Sequence, residues 1–220
     1  MKSEQDTTRS TIVKKTLTWA LGVALSGSLV QAWAQKSTEA PAAEAQHIAA
    51  TVCFACHGPG GKNDNPMFPI LAAQQPAYIE NQLNAFRAHT RAEPTAQHFM
   101  WGVAQRDIDA KLIAAMAHYF AGQPPAKGVA GDPTLVAEGN ALFHQGDPKR
   151  GLPACASCHG PDARGAGPFP RLAGQHEAYL LKQLHLIKDA IRNAPVMHGV
   201  ADKLSDKEMI ALATYLQSLN

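Results

Sequence analysis

Aromatic residues are scarce in this 220-residue chain: Phe, Tyr and Trp together make up 6%. Two of the three Trp, Trp19 and Trp33, fall in the first 34 residues, so the remainder has little aromatic bulk with which to fill a core. An excess of charge is lacking as well. Lys plus Arg number 20 and Asp plus Glu 18, but Lys2, Arg9, Lys14, Lys15, Glu4 and Asp6 lie in the first fifteen residues, leaving 16 of each sign elsewhere. A body without positive excess is a poor nucleic-acid binder, so that class of partner is excluded. No run after residue 34 approaches the length of a membrane span, and no segment alternates as a half-buried strand does. Cysteine is limited to four residues, all inside two short motifs, which leaves none for disulfides. At 45% hydrophobic and 17% charged, the chain is nevertheless globular material.

What is present begins with a leader. Lys14-Lys15 closes a positively charged start, Leu17 to Val30 is apolar apart from small and hydroxyl residues, and Ala32-Trp33-Ala34 has the small-x-small pattern of a cleavage site. Residues 1–34 therefore read as a secretory signal peptide. The alternative is a retained anchor, against which Gly22, Ser26, Gly27 and Ser28 dilute the apolar core. Either reading exports the body of the protein.

The body is written twice. Cys53-Phe54-Ala55-Cys56-His57-Gly58-Pro59 is matched by Cys155-Ala156-Ser157-Cys158-His159-Gly160-Pro161. Pro69 to Leu83 aligns without gaps to Pro170 to Leu184, with 8 of 15 positions identical. Met100-Trp101-Gly102-Val103-Ala104 then pairs with Met197-His198-Gly199-Val200-Ala201, and Ala115 to Phe120 with Ala211 to Leu216. Breakers between Ala121 and Pro133 mark the join, giving domains at 35–125 and 126–220. Helical spacing predicts three helices per half: about 41–52, 76–89 and 107–121, then 133–144, 176–191 and a last one opened by a Ser205–Glu208 capping box. The class is all-α.

C-x-x-C-H is the attachment signature of a c-type haem: two thiols add to the vinyl groups and the following imidazole reaches the iron. C-x-x-C also serves zinc sites and redox dithiols. Against those stand the His in both copies, the use of all four cysteines, and the export signal. Cys53, Cys56, Cys155 and Cys158 are thus expected to carry two covalently bound haem c groups, with His57 and His159 as axial iron ligands. The sixth ligand follows by subtraction. Met116 aligns with Leu212, Met209 with Ile113 and Met67 with Pro168; only Met100 and Met197 occupy the same place in both repeats. A Met thioether opposite His closes the iron's coordination and raises its potential. The other ring nitrogen of each His calls for an acceptor, and the carbonyls of Pro69 and Pro170 are candidates; the alternative is that these prolines only shape a loop.

On these residues each half resembles a class I cytochrome c domain, and the pair resembles the di-haem cytochrome c4 family over nearly all of the chain after the leader. The features that carry the likeness are the duplicated C-x-x-C-H-G-P, the F-P-x-L-A-x-Q…Y…Q-L block and the late Met-x-G-V-A. One departure concerns the first helix, where Gly139 stands in the second half but Ala45 or Gln46 in the first, which predicts a looser helix crossing there. The resemblance implies two tandem domains packed face to face, each with about three main helices around a haem. It implies a periplasmic one-electron carrier with no substrate chemistry of its own, fed by a membrane-bound quinol-oxidising complex or a dehydrogenase and donating to a terminal oxidase. Peripheral association with a membrane is compatible with that role. The competing readings are a dedicated cytochrome subunit of a periplasmic dehydrogenase complex and, less favoured because both sites carry Met, a di-haem peroxidase.

Overall fold

The structure is a computed structural model that describes residues 40–106 and 108–220; the expected leader at 1–34 lies outside these. Every regular element in the described residues is helical. The first half runs α1 (residues 40–48), a π-helical segment Ala49–Cys53, α2 (Phe54–His57), α3 (Pro76–Arg87), α4 (Pro94–Ala104) and α5 (Ala110–Ala121). The second repeats the order with α6 (Pro133–Gln145), α7 (Ala156–His159), α8 (Glu177–Lys188), α9 (Pro195–Ala201) and α10 (Asp206–Ser218). Residues Glu44 to Asn220, which hold both repeats, form one unit.

Local chemistry explains where the helices start. Pro76, Pro94, Pro133 and Pro195 open α3, α4, α6 and α9, where a missing N–H costs nothing and φ is already helical. Asp109 caps α5 by accepting from the Leu112 N–H at 2.8 Å. The expected capping box is formed: the Ser205 N–H donates to Glu208 Oε2 at 2.9 Å, and the Glu208 N–H reaches back to Ser205 Oγ. From that cap α10 buries Met209, Leu212, Tyr215 and Leu216, the apolar stripe expected of it. Each such side chain contributes roughly 1.5–3 kcal/mol by leaving water.

Gly139 and Ala45 occupy related places. A Cβ on Gly139 would sit 2.1 Å from the Ala211 carbonyl oxygen, so α6 and α10 cross with backbones nearly touching. In the first half Ala45 is fully buried against Leu112, Ile113 and Met116 of α5. A methyl group fills the seam there, where the second half has none.

The structure departs from the helix count expected from the sequence. The Met-bearing segments form α4 and α9, and the C-x-x-C-H motifs end in the short helices α2 and α7. With four residues in α2 and α7 and seven in α9, no apolar period is long enough to read there, whereas α4, with eleven, is a helix the spacing argument missed. The halves also enter the motif differently. In the first, α1 passes through the π-helical segment straight into Cys53; in the second, Gly146 to Ala154 intervenes as a loop closed by paired Asp147 and Leu152.

Candidate cofactor sites

Each C-x-x-C-H motif turns one helical turn so that the His closes it, and the next residue reverses the chain. Gly58 and Gly160 hold φ of +73° and +78°, a region that favours glycine; a Cβ on Gly58 would also lie 2.0 Å from the Lys62 carbonyl oxygen. The reversal carries the chain to Pro69 and Pro170. There the Nδ1–H of His57 donates to the Pro69 carbonyl at 2.8 Å, and that of His159 to the Pro170 carbonyl at 3.0 Å. A carbonyl only accepts, so the proton is fixed on Nδ1 and the Nε2 lone pair is left for a metal. Burial pushes both imidazoles below their ordinary range, outweighing the opposite pull of the proline carbonyls. Neutral, oriented imidazoles are what iron ligation requires. Of the two roles considered for the prolines, the acceptor role is the one the geometry builds.

All eight expected site residues line one predominantly apolar cavity of about 970 Å³: Cys53, Cys56, His57 and Met100 from the first half, Cys155, Cys158, His159 and Met197 from the second. That is the upper end of the roughly 300–1,000 Å³ usual for cofactor sites. Met100 on α4 and Met197 on α9 are half-buried at the wall. Met209 is packed into the second-half core, while Met116, buried in the first-half core, and Met67, half exposed, also touch the cavity; the repeat register is what singles out Met100 and Met197. The α4 and α9 helices are tied down beside each Met: the Trp101 Nε1–H donates to the Arg91 carbonyl at 3.0 Å, and the His198 Nδ1–H to the Ile187 carbonyl at 2.9 Å.

The zinc and dithiol readings fit poorly. Burial pushes the thiols of Cys53 and Cys155 up to about 11, away from the thiolate that metal binding or disulfide exchange needs. Among the described residues, no three His, Cys, Asp or Glu side chains gather as a metal cage. A haem fits better. The wall contains the buried guanidinium of Arg171, whose Nη2 has no hydrogen-bond partner among the described residues, a donor suited to an anionic carboxylate of the kind haem carries.

The repeats meet around the cavity through a pseudo-two-fold set of polar contacts. Gln74 accepts from the Arg171 N–H at 2.7 Å and donates to the Arg171 carbonyl at 3.0 Å. Its counterpart Gln175 does the same to Ile70, at 2.9 and 3.0 Å. Arg91 donates to Gln82 of its own half and to Tyr179 and Gln183 of the other. Arg192 mirrors it, donating to Gln183, Tyr78 and Gln82. Sequence reasoning missed these residues as a seam, although the signal was present: both Gln pairs and the Tyr pair are among the identical positions of the ungapped block.

Comparison with known proteins agrees with this geometry. The family model for cytochrome c matches twice, at residues 42–122 and 136–220. The chain is 42% identical over 176 residues to cytochrome c4 of Thiocapsa roseopersicina, covering 77% of this chain and 88% of that protein. A crystal structure of reduced recombinant cytochrome c4 from Pseudomonas stutzeri superimposes with a TM-score of 0.73 at 34% identity, covering 81% of this chain and 98% of that one. A protein of Thiomonas intermedia (strain K12) named thiosulfate dehydrogenase electron acceptor is 36% identical over 204 residues, 89% of this chain and 88% of that protein.

Proposed function

This chain belongs to the cytochrome c family, as one of its di-haem cytochromes c4, and from that premise we propose how it carries electrons and for whom. It is an electron-transfer protein with two covalently bound haem c groups. We assign the first haem to domain 35–125, with Cys53 and Cys56 as thioether anchors and His57 and Met100 on its iron. The second belongs to domain 126–220, with Cys155, Cys158, His159 and Met197 in the same roles. Each haem iron supplies a one-electron Fe(III)/Fe(II) couple.

The chain's own residues set the conditions for that couple. Burial keeps the imidazoles neutral, and the carbonyls of Pro69 and Pro170 hold them correctly turned. Apolar walls from Ile79, Leu83, Phe86, Leu180, Leu184 and Ile187 exclude water. The Gln and Arg seam holds both sites at one fixed separation, so an electron received at one half is available at the other. The observation that carries the reading is the twofold occurrence of one constellation, C-x-x-C, a proline-tethered His and a Met at the matching wall position.

Within the chain's exported setting, we assign it to the periplasm, behind a cleaved leader at 1–34, receiving electrons from a quinol-oxidising complex and passing them to a membrane-bound terminal oxidase. Among the described residues no helix is long and apolar enough to cross a membrane. A second reading, as the cytochrome subunit of a periplasmic dehydrogenase, is favoured by the relative named for accepting electrons from thiosulfate dehydrogenase. Purified protein should hold two haems that resist acid-acetone extraction. The oxidised form should show the long-wavelength charge-transfer band of thioether ligation. Met100→Ala and Met197→Ala should each remove about half of that band, whereas Met67→Ala leaves it whole; loss of the band in Met67→Ala would refute the ligand assignment. Mixing the reduced protein with oxidase-containing membranes, and the oxidised protein with a thiosulfate-oxidising periplasmic extract, separates the two partner readings.

A further inference from the structure

The two halves are finished differently at the helix that carries the Met. Helix α4 has eleven residues and α9 seven, so the first half has about one extra turn ahead of Met100. Buried Ala96 ties that turn to Phe86 and Ala104. The turn ends in Phe99, whose ring meets Phe68 edge-on at 5.2 Å, and Phe68 in turn lies 6.2 Å from the His57 ring. Both phenylalanines are half-buried and line the cavity, so a pair of rings covers this side of the first site.

In the second half Phe169 stands at the place of Phe68 and keeps the contact with its own His, 6.3 Å from the His159 ring. The place of Phe99, directly before the Met, is held by Val196. Among the described residues no ring takes over the cover: Phe169 is 38% exposed and Val196 73%. Gly199, three residues on and therefore on the same face of α9, adds no side chain, and a Cβ there would meet nothing within 4 Å. The exposed residues beside them in the cavity rim, Pro153, Ser157, Pro168, Asn193 and Pro195, are uncharged. Lys182, an exposed cation of this half in the same wall, donates to Thr95 Oγ1 of the first half. The rim of the first half instead has the exposed Arg106 and His98.

An exposed apolar patch within a polar, uncharged rim marks a protein contact. The first half shows what shape fits over it: a phenyl ring laid against the Phe at the His side. We infer that the face formed by Phe169, Val196 and Gly199 receives a redox protein through an uncharged, apolar surface. That partner supplies an aromatic side chain in the place Phe99 holds in the first half, and electron exchange with it runs through the second site. This rests on the two-haem reading above.

Stopped-flow electron exchange of the holoprotein with two small blue-copper proteins tests this, one presenting an uncharged apolar face and the other a carboxylate-rich one. The apolar-faced probe should react faster, at a rate that changes less than about twofold between low and high salt, since no charge pair is there to be screened. Val196→Glu and Val196→Lys should both slow it about tenfold or more, because either charge must be desolvated against the apolar surface of the probe. Val196→Phe should slow it too, as its ring takes the place of the partner's. Met67→Glu, at an exposed apolar position of the first half, should leave the rate unchanged. Should a Val196 variant lose the thioether band through its neighbour Met197, Phe169→Glu and Phe169→Lys carry the same test. Opposite effects of Glu and Lys, undiminished exchange in Val196→Phe, faster reaction with the carboxylate-rich probe, or a greater loss in Met67→Glu would overturn the inference. If exchange does not follow these residues while two covalent haems and the band are intact, the docking face is wrong; if haem count or band fails in the unmodified protein, the assignment of the sites is wrong.

Discussion

Replacing Gln74 with Leu would test whether the two halves are held together as the seam implies. The side chain is buried and makes two hydrogen bonds to the backbone of Arg171, at 2.7 and 3.0 Å. Leu has similar bulk but neither donor nor acceptor, so the Arg171 N–H and carbonyl would be left buried and unpaired. An unsatisfied buried group costs about 1–3 kcal/mol, so with two such groups the substitution should destabilise the seam by about 2–6 kcal/mol. Gln175→Leu should cost a similar amount, since Gln175 makes the mirror contacts to Ile70 at 2.9 and 3.0 Å. The double substitution should cost less than the sum. Once the halves have separated, further damage to their interface is free, so the loss saturates at the coupling energy between them. Guanidinium unfolding of the holoprotein, followed by Soret absorption and by far-ultraviolet circular dichroism, reads this directly. One cooperative transition should become two in the variants. A Gln74→Leu protein within about 0.5 kcal/mol of the parent, still unfolding in one step, would refute the argument, because a change of that size is what an ordinary surface position gives.

The sequence and the structure agree most closely where a physical requirement is local. Ser205 and Glu208 form a capping box because the two groups lie three residues apart on one turn, and no tertiary knowledge is needed to see it. The haem-bearing motif and its tethering proline are legible for a related reason: the same residues recur at the same spacing, so repetition filters the six Met and ten His down to the few that coincide. What escaped was whatever depends on two distant segments meeting. The Met helix α9, at seven residues, is too short to announce a period, and the placement of α4 comes from bonds to the segment before it, such as the Trp101 Nε1–H to the Arg91 carbonyl. The seam was hidden differently. Gln82 and Gln183 lie on the faces of α3 and α8 that meet the other half, and a buried Gln reads in sequence like any exposed one until its partners are known.

Two further substitutions probe the second half, the first of them at its acid-sensitive edge. The Glu208 carboxyl is lowered from its ordinary 4.5 to about 2, chiefly by its hydrogen bonds with Arg150 and also by those with Ser205. A carboxyl depressed in the folded state contributes stability above pH 4.5, and that contribution is lost as pH falls through about 2. Glu208→Gln keeps the N3 acceptor of the capping box but not the charge, so it should be less stable than the parent at pH 6 and converge with it near pH 2. Parallel acid curves would show that the Arg150 pair adds nothing. The other substitution concerns the helix crossing. In Gly139→Ala the new methyl would lie 2.1 Å from the Ala211 carbonyl oxygen and 2.7 Å from Tyr215 Cβ. Neither atom is the free end of a flexible chain, so α6 must move off α10, and overpacking of this kind costs about 1–3 kcal/mol. Ala45→Gly in the first half runs the other way, with no clash, only a lost methyl and about 0.5–1 kcal/mol of helix propensity. If thermal unfolding showed Gly139→Ala to be the milder change, the close crossing of α6 and α10 would not be what requires glycine at that position.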